Sequence, residues 1–139
     1  VGALKALGAK KAIVFCGEVP QGDGTTAYLD ELSLSGVSHV SVLHDDGSVT
    51  ETTFDPKKVF GQTFPISAIA GGTPEVNAAL TLSVLKGAER GAYRLAAALN
   101  AAAAIVAGGK ADSLEAGLLL AAESIDSGAS FGKLQAMVG

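Results

Sequence analysis

Apolar and polar positions along this chain change their period midway. Up to Phe54 the pattern is short and alternating, and from Gly71 onward it follows the turn of a helix. Val1 to Gly8 carries Leu4 and Leu7 on one helical face, with Gly8 placed to cap the end, and reads as the tail of a helix. No initiator methionine precedes it, so an upstream extension of the natural polypeptide is expected. Lys11 to Cys16 is almost continuously apolar, which suits a strand buried on both faces in a parallel sheet. Gly17 to Ala27 holds three glycines, Pro20 and Asp23, and reads as loop. Tyr28 to Ser35 then alternates, as does His39 to Leu43. Asp45-Asp46-Gly47 is a hairpin-turn signal, and Ser48 to Phe54 is rich in β-branched residues. These three segments predict an antiparallel meander, ended by Asp55-Pro56, which also starts a helical turn.

The second half predicts four helices. Thr73 caps and Pro74 opens the first, which closes at Gly87 with Val76, Leu80 and Val84 as its apolar stripe. Ala92 to Ala107 is apolar nearly all round and predicts a buried helix. Asp112 and Glu115 have the spacing of a capping box for a helix that turns Leu114, Leu118, Ala121 and Ile125 inward and stops at Gly128. A last short helix runs from Ser130 to Val138. Strands therefore lie in the first half and helices mostly in the second, within one domain. Only the Lys11–Cys16 strand reads as interior, so the sheet is expected to need strands that the chain lacks.

Composition narrows the function without naming it. In 139 residues, 48% are hydrophobic and 17% charged, which excludes a disordered chain and favours a core of small side chains and closely approaching helices. Such a length buries roughly two-thirds of the surface exposed by the unfolded form. A net charge of -4 gives no basic footprint for nucleic acid. It leaves room for an anionic small molecule if a divalent cation supplies positive charge locally. Cys16 is the one cysteine, so no internal disulfide forms. The longest apolar run, Leu95 to Gly109, is interrupted by Asn100 and too short to span a bilayer, and no signal-peptide pattern is present. A cytoplasmic location is the expectation.

Three motif matches lack the context their chemistry needs. Gly22-Asp23-Gly24-Thr25-Thr26-Ala27 has dinucleotide-fingerprint spacing, but no helix is expected to begin there to hold a pyrophosphate. Gly128-Ala129-Ser130-Phe131-Gly132 resembles a nucleophile elbow, yet a helix precedes Ser130 and no histidine follows it, so Ser130 reads as a helix cap. His39 and His44, with Cys16, lack metal-ligand spacing and read as exposed strand and turn residues.

Two adjacent acidic pairs occur, about the one or two that chance supplies, so context decides between them. Asp45-Asp46 sits in a turn, where acidic side chains serve local hydrogen bonding. Asp30-Glu31 is expected at the start of a strand after a glycine-rich loop, with no cation nearby in sequence. Two such carboxylates suit Mg2+, which takes one or two protein carboxylates and completes its octahedron with water and substrate phosphate. Neighbouring strand residues face opposite ways, so both reach one ion only at a strand end or bulge.

Asp30-Glu31 with Leu32-Ser33-Leu34-Ser35-Gly36 is similar to the acidic pair and following strand of the anthranilate phosphoribosyltransferase family. The similarity continues in order through Gly71-Gly72 with Asn77-Ala78, Leu99-Asn100-Ala101-Ala102, Ala107-Gly108 with Lys110-Ala111, Ser113 to Gly117, and Glu123 to Gly128. It implies the carboxy-terminal part, residues 1–139, of an α/β domain of the nucleoside phosphorylase/phosphoribosyltransferase type, three-layered with a mixed sheet flanked by helices. The upstream helical domain and the first part of the α/β domain would be absent.

The resemblance also implies a reaction: transfer of the 5-phosphoribosyl group from 5-phosphoribosyl 1-diphosphate to anthranilate, releasing pyrophosphate, in tryptophan biosynthesis. Asp30 and Glu31 would hold Mg2+ against the diphosphate, and no residue here is expected to act as proton donor or nucleophile. The family's glycine-rich phosphate loop, its Lys-His-Gly-Asn loop and its anthranilate-contacting arginine are not found in this sequence. The chain alone is therefore expected to be inactive, with a homodimer formed through the missing helical region. Cys16 stands where the family usually has histidine, and the loop to Asp30 is longer than usual. The alternatives are a related pyrimidine nucleoside phosphorylase and a non-catalytic relative acting as a binding module.

Overall fold

The computed structural model describes residues Val1–Gly139. Its elements run α1 (Gly2–Ala6), β1 (Ala12–Pro20), β2 (Thr26–Leu29), β3 (Ser38–Leu43), β4 (Val49–Phe54) and α2 (Pro56–Phe60). A 3-10 turn follows at Ile66–Ile69, then α3 (Pro74–Leu85), α4 (Ala92–Ala107), α5 (Leu114–Asp126) and α6 (Ala129–Val138). The α/β class stands, as a four-stranded sheet flanked by helices. No helix is long and apolar enough to cross a membrane.

The sheet departs from the expected meander. Its strand order is β2-β1-β3-β4, and every pairing is antiparallel. The first strand is thus not a parallel one, and the four strands form an antiparallel sheet rather than a mixed one. It continues past Cys16 to Pro20 and turns back through residues 21–25 into β2, so the glycine-rich stretch is a hairpin rather than a long loop. Thr25 closes that turn, its amide and hydroxyl both donating to the Asp23 carboxylate, with Gly24 at φ 85. Two strands, β1 and β3, are interior, where one was expected.

Because β2 and β3 lie on opposite sides of β1, the chain between them must cross β1. Residues 30–37 make that crossing, and they are not a strand. Leu32, Ser33 and Leu34 are buried consecutively, which no alternating strand with one solvated face would allow. The Ser33 hydroxyl explains the difference. It accepts from the amides of Ser35 and Gly36, while the Ser33 amide donates to Ser38 Oγ, so the segment satisfies its backbone without ladder partners.

One face of the sheet carries Ile13 and Phe15 of β1, Val40 and Val42 of β3 and Phe54 of β4, and packs against α4 through Leu99 and Ala103. The opposite face carries Val14, which is 39% exposed, along with Cys16, His39, Ser41 and Thr53. Helix α4 buries Ala98, Leu99, Ala102 and Ala103, but Ala97, Ala101 and Ala104 are exposed, so it is not covered all round. Its small residues let α5 approach closely: a Cβ on Gly117 would fall 2.8 Å from the Ala102 carbonyl oxygen. Ala121 and Ile125 are buried on α5, with Val84 of α3 and Ala98 beside them. Of the α3 stripe, Val84 is buried, Leu80 half-buried and Val76 exposed.

Helix ends follow local chemistry closely. Thr73 caps α3 through the Val76 amide, with Pro74 in its first turn, and Asp55 caps α2 through the Lys57 amide. Ser113, not Asp112, caps α5, by accepting from the Ala116 amide. The capping residue sits one position later because Asp112 lies outside the helix. Gly128, at φ 78, precedes α6, so Ser130 lies inside that helix and does not cap it.

Candidate functional site

Asp30 and Glu31 sit where β2 ends and the crossing segment begins. Leu29, the last residue of β2, is paired with Gly17 of β1. A strand end frees two consecutive side chains from the strict alternation of a ladder, the condition under which one ion could take both. Both residues are exposed, and neither carboxylate takes part in a hydrogen bond or ion pair. The other acidic pair differs. Asp45 meets Lys11 Nζ at 3.1 Å, and Asp46 accepts from the amide and hydroxyl of Ser48. Those bonds hold the Asp46 carboxyl below its ordinary pKa, the Ser48 hydroxyl contributing most.

The backbone beneath the carboxylates is fixed from two directions. From the sheet side, the segment rests directly on Gly17, where a Cβ would collide with the Glu31 carbonyl and lie 2.8 Å from both Cβ and N of Ser33. From the helix side, Asn100 Oδ1 of α4 accepts from the Leu32 amide at 2.9 Å, and its Nδ2 donates to the Leu32 carbonyl at 3.3 Å. Nδ2 also donates to the Ala96 carbonyl at 3.0 Å. Further along, the Phe64 amide donates to the Leu34 carbonyl and the Glu18 amide to that of Val37. Gly36 is also crowded, an added Cβ falling 2.8 Å from the Glu18 carbonyl oxygen and 2.9 Å from the Pro20 ring.

In the sequence Asn100 stands out as an interruption of an apolar run and as part of the Leu99-Asn100-Ala101-Ala102 similarity, with no role attached to it. The signal was present, because an amide inside a buried helical face needs partners. The partner groups on Leu32 lie 68 residues away in sequence and are not deducible from spacing.

The donor set suits a hard cation. It offers two adjacent carboxylates free of competing cations, and no third histidine, cysteine or acidic side chain gathers with them. Mg2+ would then draw its remaining ligands from water and phosphate oxygens. The other candidates do not assemble. His39 is the register partner of Cys16 and meets Glu18 Oε1 at 2.9 Å, while His44 bonds Thr50 Oγ1 beyond the end of β3. The most prominent cavity, about 470 Å³, is a groove near the start of β1, lined by Ile13, Val42, His44, Thr52 and Leu114 among others. Neither Asp30 nor Glu31 lines it.

Residues 2–131 match the family described as "Glycosyl transferase family, a/b domain". Among curated relatives, the chain is 40% identical over 135 residues to an anthranilate phosphoribosyltransferase of Bacillus cereus, covering 97% of this chain and 37% of that protein. It is 47% identical over 110 residues to the anthranilate phosphoribosyltransferase of Pelotomaculum thermopropionicum, covering 79% of this chain and 31% of that protein. The crystal structure of anthranilate phosphoribosyltransferase (TrpD) from Thermus thermophilus superposes with a TM-score of 0.71 at 36% identity, over 96% of this chain and 36% of that one. The chain thus spans about a third of the length of these relatives. With nearly its whole length matched and the same fold recurring in the solved relative, the chain belongs to the glycosyl transferase family, in its α/β domain.

Proposed function

We propose that this chain is the carboxy-terminal part of an anthranilate phosphoribosyltransferase, which moves the 5-phosphoribosyl group from 5-phosphoribosyl 1-diphosphate to the amine of anthranilate and releases pyrophosphate. The observation that carries the reading is the unpartnered Asp30-Glu31 pair on a backbone clamped between Gly17 and Asn100. The names borne by the relatives support the same reaction. Bound Mg2+ would offset negative charge growing on the departing diphosphate, which is electrostatic stabilisation of the transition state. Asp30 and Glu31 act as ligands and move no proton. On this reading the phosphate cradle and the anthranilate contacts belong to the roughly two thirds of the relatives' length that this chain does not span, and the isolated chain is expected not to turn over. Rigidity of the turn matters because a ligand pair held in place avoids reorganisation when charge develops.

The test is Asp30→Asn in the full-length protein, with anthranilate consumption followed across a Mg2+ titration. A rate lower by on the order of a hundredfold and a higher Mg2+ requirement are expected. Asp45→Asn, in the acidic pair engaged with Lys11, leaves the titration unchanged. A Mg2+ titration indifferent to Asp30→Asn removes that residue from the site.

A further inference from the structure

We infer that Asn100 is a positioning residue for the acidic turn: its side-chain amide, acting through the Leu32 backbone, sets where Asp30 and Glu31 present their oxygens. The inference rests on the metal-binding role proposed above. It starts from an anomaly of composition. Asn100 lies between Leu99, fully buried, and Ala102 and Ala103, also buried, and is the one polar residue of α4 from Leu95 to Ala107. Asparagine is a poorer helix former than leucine or alanine, and a part-buried amide costs free energy unless each polar atom is paired.

Here the pairing is complete and directed. Oδ1 takes the Leu32 N–H at 2.9 Å, and Nδ2 gives to the Leu32 carbonyl at 3.3 Å and the Ala96 carbonyl at 3.0 Å. A flipped amide would set donor against donor and acceptor against acceptor, so the orientation is fixed by the network. Leu32 alone receives both a donor and an acceptor, as it would from a neighbouring strand. Asn100 thus replaces the ladder that the crossing segment lacks, at the residue directly after Glu31. Leucine would fill the same space on α4 and satisfy the core. It would leave the Leu32 amide and carbonyl without those partners.

The Asn100 side chain bonds only to backbone groups and acts through the turn, in the manner of groups that orient metal ligands and whose loss costs roughly tenfold or more in metal affinity. The experiment compares wild type, Asn100→Leu and Asp30→Asn in the full-length protein. Mn2+ alone is titrated while broadening of the Asp30 to Leu32 amide resonances is followed, and the Mg2+ dependence of turnover is measured in parallel. Asn100→Leu is expected to speed hydrogen exchange at the Leu32 amide, leave exchange at Val40 and Leu43 unchanged, and weaken Mn2+ binding on the order of tenfold. The Mg2+ concentration for half-maximal rate rises, while KM for anthranilate is unchanged. Looser exchange at Leu32 with undiminished Mn2+ affinity would reduce Asn100 to a packing residue and overturn the inference. Asp30→Asn separates the two levels. If it weakens Mn2+ binding and Asn100→Leu does not, only the positioning role falls; if it has no effect, the metal reading falls and takes this inference with it. Should Asn100→Leu not fold, Asn100→Ser, polar but too short to bridge to Leu32, carries the same comparison.

Discussion

Replacing Gly17 by alanine inserts one methyl group between β1 and the segment carrying the carboxylates. The new Cβ would lie 2.8 Å from Cβ and N of Ser33 and collide with the Glu31 carbonyl oxygen. None of these is the free end of a flexible side chain, so the segment must retreat by more than half an ångström to regain the 3.4 Å of ordinary contact. Overpacking of this kind costs about 1–3 kcal/mol. Retreat also strains the two Leu32–Asn100 hydrogen bonds, worth about 1 kcal/mol each if lost. Against this stands a gain of about 0.4–1 kcal/mol from a less flexible unfolded chain, since the φ of Gly17 is not positive. The net expectation is a loss of about 2 kcal/mol. Gly22→Ala is the matched control, because nothing lies within 4 Å of its added Cβ and its φ is also not positive. It keeps the unfolded-state gain without the clash. Urea unfolding of both variants decides the matter, with Leu32 amide exchange reporting whether the turn has moved. Equal midpoints for Gly17→Ala and Gly22→Ala would refute the close-approach reasoning.

Two further predictions address local chemistry. Ser113→Ala is expected to lower stability by about 1 kcal/mol while Asp112→Ala stays within about 0.5, since only Ser113 accepts from an amide of the first turn of α5; thermal melts reversing that order would restore Asp112 as the cap. The depressed pKa of Asp46 stabilises the β3–β4 turn fully above the ordinary aspartate value of 3.8, and the contribution is lost as pH falls through the depressed value. The Ser48 amide resonance should therefore shift in strong acid in wild type and not in Asp46→Asn.

Elements whose boundaries depend on neighbouring residues were legible in the sequence. Thr73, Pro74 and Gly87 bracket α3 because a hydroxyl cap, a proline and a positive-φ glycine act within one turn. The 92–107 helix emerged intact for a similar reason, its alanines sustaining a helix with no breaker inside it. The crossing segment was not legible. Leu32 and Leu34 imitate strand alternation, and the serine between them belongs to a buried hydrogen-bonded turn. Sheet order failed for a related reason: pairing of β1 with both β2 and β3 is tertiary information that hydrophobic period does not encode. Of the candidate site, the sequence singles out Asp30 and Glu31 by their chemistry, whereas the Gly17 floor and the Asn100 clamp arise only from the tertiary fold.

The span of the Leu32–Asn100 link carries a consequence for the order of assembly. The hairpins β1–β2 and β3–β4 close over residues 21–25 and 44–48, while this link joins positions 68 apart. Closing the longer loop costs about 2 kcal/mol more in chain entropy, so it forms late and opens early. Partly folded molecules therefore hold their hairpins before they hold the Asp30-Glu31 turn, whose backbone takes its final place only once α4 has docked.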